Sequence, residues 1–199
     1  MIQGSPEWFA ARCGKVTASR IKDVLAKTKS GWGQSRADYL LELVAERLTG
    51  QPAASYTNTA MQWGKDHEAQ ARAAYELMYS PVEEVGFIDH PTLQMTGASP
   101  DGFVDEDGLI EIKCPYNSAV HVDYIVSRQV PQKYLTQIQW QLECTGRDWA
   151  HFVSFDPRMP SNGMKLFVKE VARGPSIAQE VQQFLIEVDL MMEELRTKQ

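Results

Sequence analysis

The segment Ser99-Pro100-Asp101-Gly102-Phe103-Val104-Asp105-Glu106-Asp107-Gly108-Leu109-Ile110-Glu111-Ile112-Lys113-Cys114 carries the pattern that decides the fold. Leu109 to Cys114 has the β-branched texture of a strand, and side chains on a strand point alternately to its two faces. Glu111 and Lys113 therefore share one face, while Ile110 and Ile112 share the other. A preceding strand is predicted from about Gly102 to Asp105, with the turn-forming run Asp105-Glu106-Asp107-Gly108 between the two. A hairpin of that length sets Asp101 beside Glu111. Two carboxylates held together repel unless a cation lies between them, and their hard oxygens suit Mg2+ or Mn2+. With a lysine one strand-step away, the set is equipped for metal-assisted phosphodiester cleavage. The metal polarises the phosphate and acidifies a water, and the lysine orients or stabilises the hydroxide. Glu-x-Lys alone reads as a surface ion pair; Pro100-Asp101-Gly102 and the apolar flanks turn the reading toward a site.

Outward from this hairpin, short β-branched and aromatic runs predict further strands from about Val82 to Asp89 and Met95 to Ala98. Before them, helical spacing is found in a short helix through Ile21, Val24 and Leu25, capped by Thr17 or Ser19 and ended by the polar stretch Lys27 to Gly33. Longer helices follow from about Ser35 to Leu48 and from Thr57 or Thr59 to Tyr79. After it, helices are predicted from Ala119 to Arg128 and from Pro131 to Cys144, strands from Trp149 to Phe155 and Met164 to Val171, and a last helix from Pro175 to Arg196. Trp63 and Trp140, on helices, read as core. This order predicts an α/β domain, a central mixed β-sheet flanked by helices, spanning residues 1–199 as one unit.

Of 199 residues, 43% are hydrophobic and 23% charged, the proportions of a globular domain. No apolar run approaches the roughly 20 residues of a membrane-spanning helix. Met1 to Arg12 lacks the apolar stretch of a signal peptide, so a cytoplasmic protein without membrane contact is expected. Cys13, Cys114 and Cys144 are too few and too dispersed for a disulfide framework or an iron–sulfur cluster. The net charge of −6 runs against a uniformly basic nucleic-acid surface, so cations must be segregated into a groove if DNA is the partner. His67-Glu68 starts like a zinc-peptidase helix, but Ala71 occupies the place of the second histidine.

Pro100-Asp101 with Glu111-Ile112-Lys113 resembles the PD-(D/E)xK nuclease motif. The longer strings Gly97-Ala98-Ser99-Pro100-Asp101-Gly102 and Glu111-Ile112-Lys113-Cys114-Pro115 are similar to the narrower family of phage lambda exonuclease and YqaJ-type viral recombination nucleases. Further matches are Arg12-Cys13-Gly14-Lys15-Val16-Thr17-Ala18-Ser19, Trp63-Gly64-Lys65-Asp66-His67-Glu68, Gln137-Ile138-Gln139 and Asp156-Pro157-Arg158-Met159. The resemblance implies a restriction-endonuclease-like core. It implies that Asp101, Glu111 and the main-chain carbonyl of Ile112 hold Mg2+, that Glu68 serves a second ion, and that Mn2+ substitutes. Lys113 then assists the attacking water, and Gln137 lies near the scissile phosphate. Arg12, Ser19 and Ser99 are expected to hold a 5′-terminal phosphate, for which a guanidinium fork and hydroxyls are suited. Met61 matches an apolar residue where duplex ends separate. Lys27 and Lys29 match a DNA-facing loop, in which Trp32 stands where relatives can be more basic.

The same resemblance implies a 5′-to-3′ exonuclease that degrades one strand of linear double-stranded DNA to mononucleotides. It implies a homotrimeric ring, a single-strand annealing protein as partner, and a phage or prophage origin in a bacterial cytoplasm. Two alternatives stand beside it: an endonuclease or resolvase with the same Asp101, Glu111 and Lys113, and a DNA-end-binding protein without catalysis. The complete acid, acid, lysine set speaks against the latter, since metal ligands without a metal are electrostatically costly.

Overall fold

The computed structural model describes residues 1–53 and 57–198. In chain order the elements are α1 (Pro6–Arg12), β1 (Val16–Thr17), a 3-10 turn (Ala18–Arg20), α2 (Ile21–Val24), β2 (Lys27–Thr28), β3 (Gly31–Trp32), α3 (Gln34–Thr49) and α4 (Thr59–Glu76). Then follow β4 (Val82–Glu83), β5 (Ile88–Asp89), β6 (Thr96–Ala98), β7 (Gly102–Val104), β8 (Gly108–Lys113), α5 (Ser118–Ser127), α6 (Gln132–Thr145), β9 (Trp149–Phe155), α7 (Asn162–Lys165), β10 (Leu166–Ala172) and α8 (Ala178–Thr197).

The main sheet is mixed, in the order β10-β9-β8-β7-β4. β8 at its centre runs antiparallel to β7 and parallel to β9, and α5 and α6 form the crossover that a parallel pair requires. A smaller sheet, β1-β6-β5, and the hairpin β2-β3 complete the strand pairing among the described residues. The alternation read in β8 is realised in the packing. Leu109 faces α5 and α6, in a cluster with Tyr124, Ile138, Leu142 and Phe152. Ile110 and Ile112 face α4, against Ala71, Tyr75, Val153 and Phe155. A third cluster joins α2, α3, α6 and α8 around Ile21, Tyr39, Leu43, Trp140 and Phe184.

The β7–β8 hairpin is fixed from outside its turn. Arg147 Nη1 donates to the carbonyl oxygens of Val104, Asp105 and Gly108 at 3.4, 3.2 and 2.7 Å, and its guanidinium stacks on Phe103 at 3.7 Å. Gly108 is required by close approach, because a Cβ there would lie 2.1 Å from the Trp149 ring.

Several boundaries differ from those expected of the sequence. The predicted strand Val82 to Asp89 is two pieces in two sheets: β4 pairs with β7, β5 pairs with β6, and Gly86 between them passes so close to Met1 that a Cβ would meet its carbonyl oxygen at 2.7 Å. The last helix begins at Ala178 rather than Pro175, since Ser176 and Ile177 are tied to the Glu143 carboxylate of α6. α4 stops at Glu76, whose side chain turns to accept from the Val82 amide at 2.9 Å. Met164 belongs to α7, and the strand starts at Leu166. Neither Thr17 nor Ser19 caps a helix through its side chain. The stretch Lys27 to Gly33 contains the β2–β3 hairpin, and α1 is absent from the sequence expectations altogether. Trp140 is core as predicted, fully buried with its Nε1 donating to Thr96 Oγ1, and Trp63 packs against the α4 face of the sheet. Among the described residues no helix is long and apolar enough to cross a membrane.

Candidate active site

The register Gly102 to Ile110 and Phe103 to Leu109 sets Asp101 at the open end of the hairpin beside Glu111. The Asp101 amide donates to the Ile110 carbonyl at 3.1 Å, and the Ile112 amide donates to Asp101 Oδ2 at 2.6 Å. Asp101 is thus clamped by the strand that carries Glu111. The Glu111 side chain is 1% exposed. Its Oε1 accepts from Lys113 Nζ and from Gln137 Nε2 (2.7 Å), and its Oε2 accepts from Gln141 Nε2 (2.5 Å).

The electrostatics follow from this crowding. Burial, reinforced by the Glu111 and Glu68 carboxylates, raises the Asp101 pKa well above the ordinary aspartate value. Burial also raises that of Glu68, with Arg72 and Lys113 pulling the other way and Glu111 adding to the rise. Burial disfavours the charge on Lys113, yet Glu111 and Asp101 together hold its ammonium above the usual lysine range. Burial next to Glu68 and Asp101 pushes the Cys114 thiol up to about 12, so it remains protonated and inert at neutral pH. Glu68 projects from α4 into a cleft of about 510 Å³ lined also by Met61, Ile112, Lys113, Tyr124 and Tyr134, and it pairs with Arg72 at 3.1 Å.

Among the described residues no three His, Cys, Asp or Glu side chains converge tightly enough to hold a metal in this arrangement, in which Lys113 and the glutamines take up the Glu111 oxygens. The donor chemistry nevertheless fits a divalent cation. Asp101, Glu111 and Glu68 offer hard carboxylate oxygens, and each of Asp101 and Glu68 is destabilised as an anion by burial and by Glu111. A cation among them would offset both effects.

A second cavity, of about 430 Å³, is lined by Trp8, Arg12, Lys15, Ser19, Arg20, Tyr39, Glu42, Glu46 and Met61. Ser5 caps α1 by accepting from the Trp8 amide, and Trp8 and Arg12 then lie one turn apart on the same face. The Arg12 guanidinium stacks on the Trp8 ring at 3.9 Å. Arg12 Nη1 and Trp8 Nε1 both donate to Ser99 Oγ, at 3.2 and 3.0 Å. With both of its acceptor positions filled, the Ser99 hydroxyl has its proton left to give. Burial lowers the Arg12 pKa, against the opposing influence of Tyr39 and Glu46. The acids lining this cavity already have partners other than Arg12: Glu46 accepts from the Gly14 and Ala53 amides, and Glu42 accepts from Arg20. Lys15 and Arg20 are ion-paired, with Asp89 and with Asp23 and Glu42 respectively. Arg12, partly desolvated beside hydroxyls, is the cation best placed to receive an anion.

The two groups of residues expected from the resemblance, one for metal and catalysis and one for a 5′ phosphate, lie at two adjoining cavities. Glu68, Ile112 and Lys113 line the first cleft, with Asp101 bonded to Ile112, Glu111 to Lys113 and Gln137 to Glu111; Arg12 and Ser19 line the second, with Ser99 bonded to Arg12. Met61, 47% exposed, lines both. Lys27 and Lys29 line neither; they lie exposed on the β2–β3 hairpin, with Lys27 Nζ 4.9 Å from the Trp32 ring centre. Gln141 and Trp8 were not among the expected site residues. Each stands four positions from one that was, so reading the helical face at Gln137 and Arg12 is the signal that finds them.

Two acids and a lysine on a β-hairpin of a mixed sheet, with helices on both faces, define a nuclease of the PD-(D/E)xK-type fold. The chain belongs to the YqaJ-like viral recombinase family, whose domain matches residues 7–148. Two crystal structures of the alkaline exonuclease LHK-Exo are similar at 45% identity. The complex with dAMP superposes with a TM-score of 0.90. The other, from Laribacter hongkongensis, superposes with a TM-score of 0.89; each match covers 98% of this chain and 97% of that one. A phage-related exonuclease from Haemophilus somnus shares the fold, with a TM-score of 0.72 at 15% identity over 92% of this chain and 96% of its own. No curated protein matches the chain.

Proposed function

We propose that the chain is a Mg2+-dependent exonuclease that degrades one strand of linear double-stranded DNA from a phosphorylated 5′ end to mononucleotides. The observation that carries this reading is the pair of adjoining cavities that share Met61 as a wall: a cleft lined by Glu68, Ile112 and Lys113, to which Asp101 and Glu111 are hydrogen-bonded, and a pocket lined by Arg12, whose guanidinium is bonded to Ser99. Asp101 and Glu111, with the main-chain carbonyl of Ile112, would hold one ion and Glu68 a second, with Mn2+ as a substitute. When bound, the metal supplies polarisation of the phosphate and a water of lowered pKa. The protein's own contribution begins with Lys113, kept cationic by Glu111 and Asp101 and so able to stabilise negative charge as it develops. Gln137 holds an amide donor at Glu111 Oε1 that can turn to a phosphate oxygen. Arg12 with its partner Ser99, and Ser19 in the lining of the same cavity, would bind the terminal 5′ phosphate and so set where the strand stops.

The family resemblance supports the wider reading. In it a homotrimeric ring encircles the duplex, Lys27 and Lys29 face DNA, and Met61 parts the strands. The 3′ strand left behind is handed to a single-strand annealing protein for phage-type recombination in a bacterial cytoplasm. A ring also accommodates the net charge of −6, since only the channel needs cations. The test is digestion of end-labelled linear duplex with Mg2+, beside closed circles and 5′-hydroxyl ends. Release of mononucleotides from the 5′ label, slow attack on 5′-hydroxyl ends and intact circles are expected. Cutting of circles as fast as linear DNA favours the endonuclease alternative, and no cutting of either favours the end-binding one.

A further inference from the structure

The acid cluster receives two glutamines from one face of α6. Gln141 follows Gln137 by one helical turn and is fully buried, with its Nε2 donating to Glu111 Oε2 at 2.5 Å. Gln137 and Lys113 donate to the other oxygen, Oε1, and Lys113 is the one of these groups that lines the cleft. Glu111 is therefore held from the protein interior at one oxygen and from the cleft side at the other.

The Gln141 amide has a second polar atom, Oε1, which is buried without a hydrogen-bond partner among the described residues. Turning the amide over would set a carbonyl oxygen against the carboxylate, so Glu111 dictates the orientation and leaves the acceptor orphaned. An orphaned buried acceptor costs stability, and a methionine or leucine fills a similar volume without one. A purely space-filling role does not account for glutamine at this position. The terminal torsion of a glutamate is broad and has no strong preference of its own. A donor fixed on Oε2 removes that freedom.

We infer that Gln141 is a positioning residue for the metal centre: it pins Glu111 by Oε2, leaving Oε1 as the oxygen passed between the protein's donors and a divalent cation. This rests on the metal-dependent reading above. Supporting partners of metal ligands are commonly worth tenfold or more in metal affinity.

The test is Mn2+ binding to the DNA-free full chain by titration calorimetry, read beside the Mg2+ dependence of cleavage. Gln141→Met is expected to weaken Mn2+ binding about tenfold and to raise the half-saturating Mg2+ by a similar factor, with the KM for DNA unchanged. Gln141→His keeps an N–H at comparable reach and is expected to bind Mn2+ within about threefold of wild type. Equal Mn2+ affinity in wild type and Gln141→Met overturns the inference and leaves the metal reading standing; so does a tenfold loss in Gln141→His, which answers the question if the methionine variant does not fold. Absence of Mn2+ binding by the wild type overturns the metal reading itself.

Discussion

The cleft at Glu68, Ile112 and Lys113 stands on the main sheet, whereas the pocket at Arg12 and Ser19 stands on short helices and turns near the N-terminus. In the first, opposite charges already meet: every oxygen of Glu111 has a donor, and Lys113 is neutralised by it. In the second, Arg12 is held in place by an aromatic ring and a hydroxyl, with the neighbouring acids drawn off by other partners. On the proposed function, the difference separates two ways of preparing for a phosphate. A centre that changes its partners during the reaction would be built with interchangeable ones on a rigid strand. A centre that receives the strand end would be built with its cation already oriented by uncharged neighbours.

The largest effect should come from the first region. Lys113→Ala is expected to lower cleavage by about 10³-fold while duplex binding, measured by fluorescence anisotropy, is retained. Cleavage within tenfold of wild type would remove Lys113 from the chemistry. Arg12→Ala tests the second region separately. It should reduce the preference for 5′-phosphorylated over 5′-hydroxyl ends by roughly tenfold to a hundredfold, the worth of a charge-assisted hydrogen bond, with little change on 5′-hydroxyl ends. An unchanged ratio would mean that the pocket does not receive the phosphate. Met61→Ala touches the shared wall and should slow digestion only about threefold, by loss of apolar packing.

A control outside both cavities sharpens the contrast. Asp156 is fully buried and bonded to Arg158 at 2.8 and 2.9 Å. Burial raises its pKa, but the Arg158 and Ser118 hydrogen bonds outweigh this and bring it down to about 2, from an ordinary value of 3.8. A carboxylate with a depressed pKa contributes stability above its unfolded value and loses it as pH falls through the folded one. The contribution should therefore be complete above about pH 4 and fade toward pH 2, and Asp156→Asn should cost about 2 kcal/mol in urea unfolding at neutral pH. Unchanged stability at neutral pH in that variant would contradict the ion-pair account.

The hairpin from Asp101 to Lys113 was legible because everything that defines it is local: alternation along one strand, turn residues between two, and apolar flanks. Long helices were legible for the same reason. What stayed hidden depends on contacts between distant segments. Val82 to Asp89 has the texture of one strand, and its division is imposed by the N-terminal residues crossing at Gly86. Trp8 owes its place to Ser99, 91 positions away, and Gln141 owes its place to Glu111, 30 positions away. Neither distance is visible to a reading of spacing.

Arg147 has a consequence for how this molecule can vary. Its single nitrogen gathers the carbonyls of Val104, Asp105 and Gly108, so the strands on either side of the turn are joined by a residue from beyond α6. The side chains of Glu106 and Asp107 are thereby relieved of holding the hairpin closed and can change in charge and size. The loop length cannot, because an inserted residue would carry one carbonyl out of reach of the guanidinium. A deep mutational library should thus find this turn permissive to replacement and closed to insertion.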